Sequence, residues 1–153
     1  MNAEERSKKA VALFTEGYNC SQAVALAFDD LLPIDRDVLA RIASSFGGGM
    51  GRLREVCGCV SGMAAVVGAL YGFSGAETGG AKAEHYALVR RLAEEFRAES
   101  GSIVCRELLG GAASGGTPAP RTPQFYAERP CAVLVARAAA ITQRYIDERE
   151  AEK

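Results

Sequence analysis

Five cysteines are the residues of this chain best suited to chemistry: Cys20, Cys57, Cys59, Cys105 and Cys131. A thiolate is both a nucleophile and a soft metal ligand. Cysteines brought together therefore point to thiol redox chemistry or to a thiophilic metal. Cys57 and Cys59 flank one glycine in "REVCGCVSGMAAVVG", while the other three stand far apart and fit no short zinc or ferredoxin signature. His85 is the only histidine, so a Cys–His nucleophile pair would depend wholly on it. Its place beside Tyr86 on a helical stretch marks it as a surface or partly packed side chain.

The elements that must position these thiols read as helices. Ala10, Val11, Leu13 and Phe14 give residues 3–16 one apolar face, with Gly17 as a stop. Asn19 with Gln22 three residues on is a capping-box pattern, which makes Cys20 the first residue of the next helix. Pro33 ends that segment, and Asp35 caps "DRDVLARIASSF". The glycine-rich run Gly47–Gly51 breaks the chain. A small-residue helix is then expected over about 54–71, with Gly58, Gly62, Ala65 and Gly68 along it. Glycine inside a helix costs about 1 kcal/mol relative to Ala, so a glycine stripe predicts that a second helix or a cofactor packs on bare backbone. A long helix follows over about 76–99, with Tyr86, Val89, Ala93 and Phe96 as its inner stripe and "RRLAEEFRAE" as a solvated face. Ser102 is expected to cap a short helix that Gly110 stops. "GAASGGTPAPRTPQ" reads as irregular loop, and the last helix starts near Pro130. No alternating strand pattern or internal repeat is present. The expected fold is all-α: one domain over residues 1–153, a bundle of six or seven helices, with 144–153 as a frayed tail.

On this reading Cys20, Cys57, Cys105 and Cys131 each fall in the first turn of a helix. The positive end of the helix dipole there favours an anion and lowers a thiol pKa. Four such thiols could meet at one end of the bundle as a tetra-thiolate site. Equally, free cysteine is among the most buried residue types, and each could be apolar filler. Cys59 differs, because two residues along a helix is a rotation of roughly 200°. If the helix has begun by Cys57, the two thiols face opposite ways and Cys59 only fills a small site.

The pieces "GYNCSQAV" at Cys20, "FGGGMG" leading into "CGCVSG", "CRELLG" at Cys105 and "RPCAVLVARAA" at Cys131 resemble a family of small helical proteins described as redox-active and named for the pattern C_GCAxxG_C_C. The likeness covers nearly the whole chain. The family's core motif, CGAxxG, here reads Cys57-Gly58-Cys59-Val60-Ser61-Gly62, with Cys59 in place of alanine. The resemblance implies Cys20, Cys57, Cys105 and Cys131 as a functional set.

Composition excludes several classes. The chain has 153 residues, a net charge of −1 and no Trp, with no basic stripe for nucleic acid. The apolar run Met63–Tyr71 is too short to cross a bilayer. The opening "MNAEERSKKAVALF" does not read as a signal peptide, so a cytoplasmic protein is expected, where permanent disulfides are rare. "GGGMGR" lacks the Gly-Lys-Ser/Thr ending of a phosphate-binding loop. The leading expectation is an iron–sulfur cluster, with zinc second, held by Cys20, Cys57, Cys105 and Cys131 as metal ligands, with Gly58 and Gly62 beside the cofactor. The first alternative is a thiol–disulfide oxidoreductase with a reversible cysteine pair. The second is a non-catalytic helical adaptor with buried cysteines and no cofactor. A redox partner is expected, homo-oligomerisation is left open, and neither membrane nor nucleic acid is expected.

Overall fold

The computed structural model describes residues 1–76, 79–111 and 114–153. Among these, eight helices follow one another: α1 (Ala3–Thr15), α2 (Cys20–Leu26), α3 (Arg36–Ser44), α4 (Gly58–Tyr71), α5 (Gly80–Ser100), α6 (Cys105–Leu108), α7 (Pro123–Glu128) and α8 (Cys131–Ala151). The all-α expectation holds, with six helices of seven residues or more. None of the described helices is long and apolar enough to cross a membrane.

Local chemistry sets most of the boundaries. Asn19 and Gln22 form the reciprocal capping box at α2, and Asp35 accepts from the Val38 N–H at α3. Gly47–Met50 is a turn and not a further helix, because Gly48 and Gly49 sit at φ +67° and +73°. Three residues with side chains also take positive φ, Met50 at its end and Arg52 and Arg54 just after it. This backbone cannot continue a right-handed helix. As a result α4 begins at Gly58 and not near Arg54, and Cys57 is its N-cap in extended conformation. The segment before α4 instead meets the segment before α6. Val56 and Val104 form an isolated antiparallel bridge, the Cys57 N–H donates to the Ile103 carbonyl (2.8 Å), and the Cys105 N–H donates to the Glu55 carbonyl (2.6 Å).

Four other expectations need correction. Residues 122–128 are not all loop: Thr122 caps α7 and Pro123 opens it. Ser102 does not cap α6, since its Oγ accepts from the Val104 N–H one residue before the helix. The inner stripe of α5 is Leu88, Leu92 and Phe96 flanked by Val89 and Ala93, while Tyr86 is 49% exposed. The tail does not fray, because α8 runs to Ala151 with Ile146 buried. It is held by the Arg91–Glu148 ion pair, by Tyr145 edge-on to Tyr71 and by Arg149 over the Tyr71 ring.

The core lies between α1, α2, α4 and α8, with Phe14, Leu26, Phe28, Met63, Val135 and Ile141 buried. α8 is the spine: α1 packs along it, and α4 and α5 lean on it. Arg6, only 1% exposed, joins three parts of this core. It donates to Gln143 (2.9 Å) and to the Ala27 carbonyl (2.7 Å), pairs with Asp30, and stacks on Phe28.

Gly58 and Gly62 of α4 face α2, while Gly68 faces His85 of α5. A Cβ on Gly62 would lie 2.9 Å from both the Ser21 carbonyl oxygen and Val24 Cβ. One on Gly58 would lie 2.9 Å from the Phe46 carbonyl oxygen and 3.3 Å from Cys20 Cβ. Gly62→Leu is therefore expected to destabilise the fold by about 1–3 kcal/mol through overpacking. Urea denaturation checks this, and an unchanged midpoint would show that the two helices are not held in contact here.

Candidate thiol chamber

The beginnings of α2, α4, α6 and α8 meet around one chamber of about 350 Å³. Cys20, Cys105 and Cys131 are the first residues of α2, α6 and α8, and Cys57 is the N-cap of α4. All four line the chamber, as does Gly58. Gly62 does not; it sits one turn deeper, against α2. The glycine turn supplies another wall. There a Cβ on Gly49 would come within 2.8 Å of Cys105 Cβ. Phe14, Leu108, Phe125 and Leu134 give the chamber an apolar side.

Cys20 is partly exposed, and Cys131 is 8% exposed. The two thiols are near enough that the acidity of each depends on the other. Donation from Cys131, and then from Cys59, holds the Cys20 thiol well below the ordinary range against the opposing effect of burial, and the nearby Arg121 guanidinium adds to the lowering. Cys131 is correspondingly pushed up, first by its bond to Cys20 and then by burial. Burial pushes Cys105 up too, countered by Arg54, whose Nη1 donates to Cys105 Sγ (3.6 Å).

Cys59 lies outside the chamber lining, but it is not isolated from the other thiols. It is fully buried, and Cys20 and Cys57 are near enough to shift its acidity. Burial and these two neighbours raise it well above an ordinary thiol. The expected opposite facing of Cys57 and Cys59 assumed that both were helical. With Cys57 in the extended cap position, the helical rotation does not relate them.

Arginines are the residues that sequence reasoning missed. Arg52, Arg54, Arg121 and Arg129 all line the chamber, and Arg54 is only 3% exposed. Arg121 donates to the carbonyls of Phe14 and Tyr18 (both 3.0 Å) and lies over the Phe14 and Phe125 rings, which fixes the 114–122 segment to the end of α1. A faint signal exists in the sequence: Arg52, Arg121 and Arg129 each stand directly beside Gly or Pro. His85 is elsewhere, on α5 against the edge of Phe73, with its Nδ1 buried and unbonded.

The expected cluster can be tested against this arrangement. Among the described residues, no three Cys, His, Asp or Glu side chains gather closely enough to hold a metal ion. Cys20, Cys57, Cys105 and Cys131 nevertheless line the same chamber. No chemical step is derived through an iron–sulfur cluster or zinc.

Fold and site together define a small helical protein with a chamber of thiols. A family profile described as "Putative redox-active protein (C_GCAxxG_C_C)" matches residues 18–145, and the chain belongs to this family. No curated protein and no solved structure matches the chain.

The dependence of Cys20 on Cys131 carries a prediction. Iodoacetamide alkylation of Cys20, followed by mass spectrometry across pH, should show a midpoint below the ~8.5 of a free thiol. In Cys131→Ala the donor is gone, so the midpoint should move upward and less thiolate should form at neutral pH. An identical profile in the variant would mean that Cys131 does not support the Cys20 thiolate.

Proposed function

We propose that the protein is a thiol–disulfide oxidoreductase in which Cys20 attacks and Cys131 resolves. The placement of Cys20 and Cys131 on the wall of one chamber, at the first positions of α2 and α8, is the observation that carries this reading, and the opposite shifts of their acidities support it. The partly exposed Cys20 is the more acidic thiol and Cys131 the less acidic one, a division of labour suited to dithiol chemistry.

The Cys20 thiolate attacks one sulfur of a substrate disulfide. A Cys20–S bond forms, the substrate S–S bond breaks, and one substrate thiolate leaves. Cys131 then gives up its proton and attacks the Cys20 sulfur of the mixed disulfide. The Cys20–Cys131 bond forms and the second substrate thiolate departs. Two electrons pass from the protein dithiol to the substrate, and the protons released by the protein balance the two thiols produced. A reducing thiol or dithiol returns the protein to its starting state by the reverse exchange. Attack is favoured by the low pKa of Cys20, and resolution requires deprotonation of Cys131 once the thiolate beside it has been consumed. Five unpaired thiols suit a reducing compartment, so the cytoplasm is the proposed setting.

Treatment of the reduced protein with diamide should remove two thiols and yield a Cys20–Cys131 disulfide on peptide mapping. Cys20→Ser or Cys131→Ser should abolish that loss, while Cys59→Ala should keep it. Two results would overturn the reading: thiols that all stay reduced under mild oxidant, or stoichiometric iron and sulfide in protein purified without oxygen.

A further inference from the structure

We infer that the chamber selects a small disulfide bearing carboxylates, with Arg52 and Arg129 receiving the anionic groups; this rests on the dithiol reading above. The charge of the chamber lining is one-sided. Four arginines line it, and no Asp or Glu is among its described lining residues. Elsewhere most Lys and Arg side chains are in ion pairs, among them Arg6, Lys9, Arg36, Arg91, Arg106 and Arg144, although Arg41, Lys82, Arg90, Arg137 and Arg149 are in none among the described residues. Among the described residues, Arg52, Arg121 and Arg129 form none.

These three are not equivalent. Arg121 spends its donors on two backbone carbonyls and the Tyr126 hydroxyl, so it is a structural cation. Arg52 donates only its Nε, to the Gly115 carbonyl. Arg129 rests its guanidinium over Phe125. Both keep donors for a ligand and both are partly exposed. They lie close enough to repel: after burial, the charges of Arg54 and Arg129 are what push Arg52 down. An anion between them relieves that repulsion, and a guanidinium suits a carboxylate because its donors match the two oxygens.

Size and polarity narrow the class further. A volume of about 350 Å³ is at the small end of ligand pockets. Cys20 sits within a concavity walled by four helix starts and the glycine turn, which suits a small molecule better than a folded protein's disulfide. The apolar side formed by Phe14, Leu108 and Leu134 accommodates the methylenes between disulfide and carboxylate.

The test compares three small disulfides on the reduced full-length protein: dithiodipropionate, with two carboxylates; neutral hydroxyethyl disulfide; and cystamine, with two ammonium groups. Rates of Cys20–Cys131 formation are normalised to those of a free dithiol. Dithiodipropionate should outpace cystamine by about tenfold or more, the ratio that one or two partly buried ion pairs supply. The advantage should shrink with added salt. It should collapse in the Arg52→Gln, Arg129→Gln double variant and survive in Arg144→Gln, which also removes a positive charge. Suberate, which replaces the disulfide of dithiodipropionate with two methylenes, should slow iodoacetamide alkylation of Cys20 in the parent and not in the double variant. Equal normalised rates without suberate protection would overturn the anionic substrate while leaving the dithiol reading intact. Suberate protection with no oxidation by any of the three disulfides would sink the dithiol reading and support the anion site.

Discussion

The contact of α2 with the bare backbone of α4 is the constraint on which the rest of the chamber depends. Gly58 and Gly62 let the two helices approach until backbone atoms of one meet the Cα positions of the other. Two helices with ordinary side chains at the contact pack 8–10 Å apart, and a larger side chain at either glycine would force such a separation. The same approach brings Cys20 beside Cys57 and Cys59, because these residues occupy the N-terminal ends of the two helices that touch. The helix propensity lost at each glycine, about 1 kcal/mol, is offset by the burial of Val24, Met63 and Val66 around the contact.

The remaining thiols are brought in by backbone hydrogen bonds. The antiparallel bridge between Val56 and Val104 ties the start of α4 to that of α6, so Cys57 and Cys105 are placed by main-chain bonds on their own N–H groups. Side-chain substitution there leaves the placement largely unaffected. The glycine turn closes on the same assembly. The Arg54 and Glu55 N–H groups donate to the Gly48 and Gly49 carbonyls, and the turn wraps against Cys105. Cys131 arrives on α8, fixed by the long packing of α1 along that helix. Helix packing, a strand-like bridge and a glycine turn thus each set part of one chamber.

What the sequence made legible was whatever short-range chemistry decides. Asn19, Gln22 and Asp35 announce their helix starts because a capping bond closes over three residues. The convergence of four helix starts followed from the cysteines occupying first turns. The start of α4 was misplaced because positive φ at Met50, Arg52 and Arg54 is imposed by the surrounding fold, and no local propensity announces it. A six-residue helix such as α7 is hidden within a run of Gly, Pro and Thr. The tail was misread because Tyr71, Arg91 and Glu148, which bind it, are distant in sequence. Arg121 escaped notice for the same reason, since its partners lie more than a hundred residues upstream.

Cys59 shows how one position can adjust acidity without altering architecture. Its place is set by the backbone clamp around Gly58 and Gly62, and its own side chain only fills the space left. An alanine there leaves the clamp intact and removes one hydrogen-bond donor from Cys20. The Cys20 thiol is then supported by Cys131, Arg121 and a backbone hydrogen bond, and it becomes a weaker acid and a stronger base. The thiol at position 59 therefore acts as a trimming weight on the reactivity of a residue in another helix. It can be added or taken away over evolutionary time without rebuilding the site, because sulfur in place of hydrogen at this point changes the electrostatics far more than the packing.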